Sequence, residues 1–277
     1  MGMKAVADHY ERSGLFELLQ RRLTEHGISS PSRADFSALD QMHMRGQTGT
    51  EDVIAATGMS AGMKVADLGA GLGGSARIFA DLVDAEVTAV DLTPSFCATA
   101  EAINAAVGLA DRIRVLEGDA TATGLDAGMF DIVTTLHACM NIPDKEGVYR
   151  EAFRLLKPGG RFCFYDVVLG PGGAPRYPTP WAERPELSHL IPADEMRALC
   201  EKAGLRTMEV RDLTEEAKAG SRARREEARR RAETGAAAPL QAGDILMGET
   251  AGEKMRNMAH NFDADHVGVV LGVFEKP

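Results

Sequence analysis

The stretch Val65-Ala66-Asp67-Leu68-Gly69-Ala70-Gly71-Leu72-Gly73-Gly74-Ser75 constrains the fold of this chain more than any other. A short apolar run of strand character gives way to glycines at 69, 71, 73 and 74, and a helical pattern follows. Glycine accepts left-handed backbone and lets a ligand come close to the main chain. A helix starting directly after such a turn aims free N–H groups and a partial positive field at that ligand. The next strand pattern ends at Asp91, 24 residues after Asp67, where a carboxylate can accept both hydroxyls of a ribose. Together these features predict a nucleotide-type site at the carboxyl edge of a parallel sheet.

The rest of the core repeats the same alternation. Residues 63–68, 86–91, 112–116, 130–135 and 161–168 read as strands, and 75–83, 94–107 and 144–156 as helices. Pro94 suits a first helical turn, where its missing N–H costs nothing. Lys157-Pro158-Gly159-Gly160 is expected to stop the third helix and turn the chain into the next strand. Strand–helix–strand repeats of this kind place helices on both faces of a parallel sheet, an α/β architecture.

Flanking segments divide the chain further. Residues 1–60 read as an N-terminal helical cap, with Leu15, Phe16, Leu18, Leu19 and Leu23 giving an apolar face, and 61–211 as the ligand-binding core. The Pro-rich stretch 171–192 is expected to be irregular; 212–262 reads as a helical cap insertion and 263–277 as the closing strand of the core. The arginines between 222 and 231 read as a solvated helix, with pairs Arg222–Glu226, Glu226–Arg230 and Glu227–Arg231 at four-residue spacing.

Composition excludes several function classes. Hydrophobic residues make up 44% and charged residues 26% of the chain, which is incompatible with wholesale disorder. The formal net charge of −10 argues against a general nucleic-acid binder, which needs a cationic surface. No apolar run approaches the ~20 residues of a membrane span, and residues 1–12 show no signal-peptide core. Cys97, Cys139, Cys163 and Cys200 are far apart, without metal-ligand or disulfide-framework spacing. The expectation is a cytoplasmic protein without a metal, a membrane or a nucleic-acid partner, either alone or as a homodimer.

Gly69, Gly71 and Gly74 also satisfy the G-x-G-x-x-G dinucleotide pattern, so a nicotinamide-dependent oxidoreductase stands as one reading. Asp67 discriminates. Beside a pyrophosphate it adds anion–anion repulsion; beside the ammonium and sulfonium of S-adenosylmethionine (SAM) it attracts. A surface aspartate capping the helix is the plainer reading of Asp67, but it leaves Asp91 unexplained.

Five pieces in order carry a resemblance: Asp67-Leu-Gly-Ala-Gly-Leu-Gly-Gly74, Val90-Asp91, Gly118-Asp119-Ala120, Phe130-Asp-Ile-Val133 and Leu156-Lys-Pro-Gly-Gly160. The series resembles the class I SAM-dependent methyltransferases. That resemblance implies a Rossmann-like sheet of seven strands, mostly parallel, with an antiparallel last strand at about 266–274. It implies that Asp67, Gly69, Ala70 and Gly71 hold the methionine part of the cofactor. By the same token Asp91 takes the ribose hydroxyls, Leu92 packs on the adenine, Asp119 and the Ala120 backbone meet the adenine edge, and Leu136 borders the cofactor amino acid. The flanks Asp40-Gln41-Met42-His43-Met44-Arg45-Gly46, His137-Ala-Cys-Met-Asn141 and Tyr177-Pro-Thr-Pro-Trp181-Ala182 are similar to the type 11 small-molecule branch, whose members act on sarcosine, dimethylglycine, quinone precursors or natural products. The resemblance covers residues 35–211, and its flanks differ from the sarcosine enzymes.

Transfer from a sulfonium is an in-line displacement, so alignment supplies much of the rate, and a base is needed only if the acceptor holds a proton. Candidate bases are His137, directly after the fourth strand, and His43 in the cap segment, each with a packing role as the plainer alternative. Gln41 is a candidate for the cofactor carboxylate. His43, His137, Asn141, Asp166 and Trp181 are the candidate acceptor contacts. Tyr10 and His9 are placed in an N-terminal lid by position. The reading is methyl transfer to N or O of a small metabolite or natural product. A SAM-binding protein without turnover stays open, and RNA methylation would need a basic stripe found only around Arg222–Arg231.

Overall fold

Strands with Val, Ile, Ala and Phe on both faces must be covered on both sides, and amphipathic helices supply the cover. The computed structural model describes residues 10, 11, 13–237 and 239–277; His9 lies outside them. The N-terminal part holds α1 (Leu15–Glu25), α2 (Arg33–Asp40) and α3 (Gln47–Thr57). The core follows as β1 (Lys64–Leu68), α4 (Gly74–Val83), β2 (Glu86–Asp91), α5 (Pro94–Ala106), β3 (Ile113–Glu117), β4 (Phe130–Leu136), α6 (Lys145–Leu155) and β5 (Leu156–Leu169). The chain ends with α7 (Ala193–Lys202), β6 (Arg206–Asp212), α8 (Thr214–Thr234), α9 (Gly243–Met247), α10 (Ala251–Asp263) and β7 (Val267–Glu275).

The seven strands form one sheet in the order β3-β2-β1-β4-β5-β7-β6. The pairs β1–β2, β2–β3, β1–β4 and β4–β5 are parallel, and β7 runs antiparallel to both β5 and β6. The order reverses between β1 and β4, the switch point where open sheets leave a crevice beyond their strand ends. Val65, Val87 and Ile132 enter the core on one face, and Ala66, Val90 and Val133 on the other.

Several expectations need correction in detail. The third core helix ends before the Lys-Pro-Gly-Gly run, and β5 already starts at Leu156. Leu156 pairs with Phe130, but the next partners are Arg161 and Ile132, so residues 157–160 bulge out between them. Gly159, at φ 76°, and Gly160 are then held by the main chain of Lys276. Leu18 is exposed, whereas Leu15, Leu19 and Leu23 are buried against Phe36 and Leu39 of α2, Leu72, and Phe96 and Ile103 of α5. On α8 the Arg231–Glu227 pair forms as expected, but Arg229 meets Glu226 and Arg230 meets Glu227 at three-residue spacing. The sheet's outer strand β6 is largely exposed.

Two contacts close the roof over the crevice. Arg77 of α4 and Asp40 at the end of α2 form a buried ion pair at 2.7 Å, which ties the cap to the core. Arg22 of α1 donates to Asp244 at 2.6 Å and to the Gln241 carbonyl at 2.7 Å, joining the N-terminal helices to α9. Leu213, Ala217, Met258 and Phe262 anchor α8 and α10 to the sheet core. Among the described residues no helix is long and apolar enough to cross a membrane.

Candidate active site

The glycine turn after β1 needs the backbone freedom its sequence supplies. Gly69 and Gly73 stand at φ 77° and 75°, and a Cβ at Gly69 would lie 2.4 Å from that of Ala138. The N–H groups of Gly69 and Ala70 donate to the Val90 carbonyl, and that of Gly71 donates to Asp91 Oδ2 at 2.8 Å. Asp91 Oδ1 accepts from the Thr93 N–H at 2.9 Å. The carboxylate therefore clamps the loop to the end of β2. Burial raises Asp91 above the ordinary carboxylate range, and the two N–H donors pull it back.

Asp67 is buried at the end of β1 and accepts from Thr134 Oγ1 at 2.7 Å through Oδ1. Its other oxygen, Oδ2, is buried without a hydrogen-bond partner among the described residues. Burial pushes the carboxyl up to about 7; the Thr134 bond opposes this, and the charge of Asp91 adds to it. An orphaned acceptor of this kind is costly unless a donor fills the place. A cationic group in the crevice does so, which fits the ammonium of SAM.

A cavity of about 480 Å³ opens above this turn, within the range of small-ligand sites. Its floor is Asp67, Gly69, Ala70, Gly71, Asp91 and Leu92, with Gly118, Ala120, Leu136 and His137 from neighbouring strand ends. Its other wall is the cap segment 37–46, where a Cβ on Gly74 would strike Gln41 and Asp40, together with Tyr10, Trp181 and the roof helices. Most sequence candidates therefore converge on one space. Gln41 reaches it, with its amide donating to Asp40 and its oxygen accepting from Thr50.

Two candidates do not reach the cavity. Asp119 is absent from the wall, and its Oδ1 accepts from the N–H and hydroxyl of Thr121 at 2.7 Å each, a turn-capping arrangement. Asp166 is fully buried and accepts from the main-chain N–H groups of Cys139 and Val167 at 2.7 and 2.8 Å, so it fixes the turn after β4 from behind. Burial pushes its carboxyl up to about 7 as well.

The histidines are on the wall, but their nitrogens are occupied. His137, at φ 50°, has Nδ1 3.1 Å from the Tyr165 carbonyl, so that nitrogen carries the proton, and Nε2 accepts from the Met44 N–H at 3.2 Å. Burial, reinforced by the nearby His43, lowers it to about 3. His43 donates from Nδ1 to the Met44 carbonyl, and its Nε2 lies 3.1 Å from the Thr50 hydroxyl and 3.3 Å from that of Ser75. Burial lowers it to about 4. Each histidine nitrogen thus lies within hydrogen-bond reach of another group, which favours the packing role over the base role for both.

Asn141 and Trp181 are likewise built into the wall. The Asn141 amide donates to the carbonyls of Trp181 and Leu187 at 2.8 and 3.2 Å, and its oxygen accepts from the Tyr10 hydroxyl at 3.0 Å. Trp181 Nε1 donates to Ser188 at 2.9 Å, leaving only its ring for a ligand. Sequence reading missed Thr134, the Asp40–Arg77 pair, and the methionines and Arg224 that the roof brings to the cavity. Thr134 lies near the end of the expected strand 130–135, but only the pairing of β1 with β4 brings it beside Asp67, and the roof residues gave no local signal.

Comparison with known proteins agrees with this geometry. Residues 66–164 match a family described as a methyltransferase domain. The chain is 29% identical over 220 residues to methyltransferase GfsG of Streptomyces halstedii, an alignment covering 77% of each protein. It is 37% identical over 112 residues to the sterol 24-C-methyltransferase erg6 of Aspergillus fumigatus, covering 40% of this chain but only 30% of that one. In fold it resembles the Haemonchus contortus phosphoethanolamine N-methyltransferase 2 bound to phosphomonomethylethanolamine and S-adenosylhomocysteine, with a TM-score of 0.73 at 19% identity, over 94% of this chain and 60% of the other.

Proposed function

The chain is a class I SAM-dependent methyltransferase, and on that premise we propose that it methylates a small, largely apolar acceptor enclosed between the sheet edge and the helical roof. One observation carries the reading: the partnerless, buried Asp67 Oδ2 beside a glycine turn, at the floor of a cavity lined by many methionines. Asp67 would receive the ammonium of SAM. Asp91 would accept the ribose hydroxyls while holding the Gly71 N–H, Leu92 and Ala120 would flank the adenine, and Leu136 would border the amino-acid part. Asp119 holds Thr121 through Oδ1, and its other oxygen would meet the adenine amino group. When bound, SAM supplies a methyl already activated on a sulfonium.

The protein's own work is then to align and to exclude water. His137 and His43 act as positioning residues: His137 fixes the cap segment to the end of β4 by accepting the Met44 N–H, and His43 ties that segment to Thr50 and Ser75. Without a free base, the chemistry favours an acceptor atom that is nucleophilic at working pH, such as a neutral amine or an ionised oxygen. The same absence gives a second reading its support: a SAM-binding protein without turnover. Incubation with methyl-labelled SAM and a panel of apolar amines, phenols and carboxylates separates the two. Label transferred to at least one class is the expected result; S-adenosylhomocysteine binding with no transfer to any member would replace catalysis by binding alone.

A further inference from the structure

Two arginines of α8, Arg222 and Arg224, have no acidic partner among the described residues, and of the two only Arg224 lines the cavity. Arg225 faces Asp263 at 3.5 Å, Arg229 faces Glu226 at 2.9 Å, and Arg230 and Arg231 share Glu227 at 2.7 Å. Arg224 instead lines the cavity, and it forms no ion pair or hydrogen bond with any other described residue. The other arginine on the wall, Arg45, is bound to Asp52. Arg224 is exposed to solvent as well as lining the cavity, and partial desolvation lowers its proton affinity. The Tyr165 phenol, whose charge would favour the protonated arginine, donates to the Met44 carbonyl at 3.0 Å.

The cavity that this cation lines is rich in methionine. Met42, Met44, Met140, Met247, Met255 and Met258 line the same cavity. Methionines fit irregular apolar shapes, but they give no acceptor to a guanidinium. An arginine does not deprotonate in a protein, so an unpaired one on a cavity wall favours any oxyanion that reaches it. The carboxylates Asp67 and Asp91 belong to the strand ends of the floor, whereas Arg224 comes from the roof. The cavity thus offers an anionic floor for a cationic cofactor, a methionine-rich chamber and, among the described residues, the unpaired Arg224 on its roof side.

We infer that the acceptor has an apolar body ending in an anionic group, a carboxylate or a phosphate, and that Arg224 binds that group. The inference rests on the methyltransferase reading and names the substrate class for the same site. The test is calorimetry on the full chain saturated with S-adenosylhomocysteine. The probes are decanoate and decanamide, 2-naphthoate and 2-naphthamide, and decyl phosphate and decanol. At least one anionic probe should bind about tenfold or more tightly than its neutral partner, as expected of a charge-assisted contact; whether the carboxylates or the phosphate gain more identifies the anion. Arg224→Met should abolish that preference and leave S-adenosylhomocysteine affinity unchanged, while Arg224→Lys should keep part of the preference. Equal binding within every pair, or a preference that survives Arg224→Met, overturns the inference while the methyltransferase reading stands. A wild-type chain that fails to bind S-adenosylhomocysteine overturns that reading and the inference with it.

Discussion

Replacing Asp67 by Asn tests the electrostatics of the site in a single position. Burial lifts the carboxyl to about 7, so near neutral pH the unliganded protein holds it partly protonated. If the ammonium of the cofactor needs the ionised form, the cost of ionisation enters the binding constant. Each pH unit below about 7 then weakens binding about tenfold, and going from about pH 8 to about pH 5.5 weakens it about 30-fold, or about 2 kcal/mol. Asp91 shifts in the same direction, so the variant isolates what Asp67 contributes. Asp67→Asn should bind about 10- to 100-fold more weakly at pH 8, the loss of one charge-assisted hydrogen bond, and with a shallower pH slope. Stability should move the other way. The folded carboxyl lies above its unfolded value, so its contribution is fully present below about pH 4 and is lost as pH rises through about 7, by at most about 4 kcal/mol. The Asn variant should therefore be the more stable protein at pH 8. Titration calorimetry with S-adenosylhomocysteine across this pH range, beside urea unfolding of both proteins, reads both effects. An affinity independent of pH in the wild type, or an unchanged slope in Asp67→Asn, would refute the reasoning.

Other substitutions probe the supporting structure. His137→Asn should lower kcat/KM by less than about 100-fold and keep the shape of its pH profile, because Nε2 is already taken by the Met44 N–H; disappearance of an acid limb near neutrality would make His137 a base after all. Gly69→Ala places a Cβ 2.4 Å from that of Ala138 at φ 77° and should cost at least about 2 kcal/mol in urea unfolding; a cost below about 0.5 kcal/mol would contradict the packing. Arg77→Met leaves Asp40 buried and unpaired, and should cost about 3–5 kcal/mol by the same measurement; a neutral effect would mean that the cap is held elsewhere.

The core was legible because its signals are local. A glycine turn after an apolar strand, Asp91 at the next strand end, and Pro94 at a helix start each follow from a few adjacent residues. These positions fall on β1, β2 and α5 as read. Asp67 was legible as an anion but not as an orphaned one, since its partner Thr134 sits on β4, which only sheet pairing brings alongside. The histidines were legible by position, while the bonds of His137 to Met44 and Tyr165 come from separate segments. Arg224 was hidden within a run of arginines that mostly pair with neighbouring acids, and only the folding back of α8 over the sheet sets it apart.

A crystal structure of the chain with S-adenosylhomocysteine tests the central claim most directly. The account predicts the ammonium within hydrogen-bond reach of Asp67 Oδ2, both ribose hydroxyls on Asp91, and the sulfur turned toward the methionine-lined chamber. A cofactor whose ammonium lies away from Asp67, or a dinucleotide seated over Gly69 and Gly71 in its place, would contradict it.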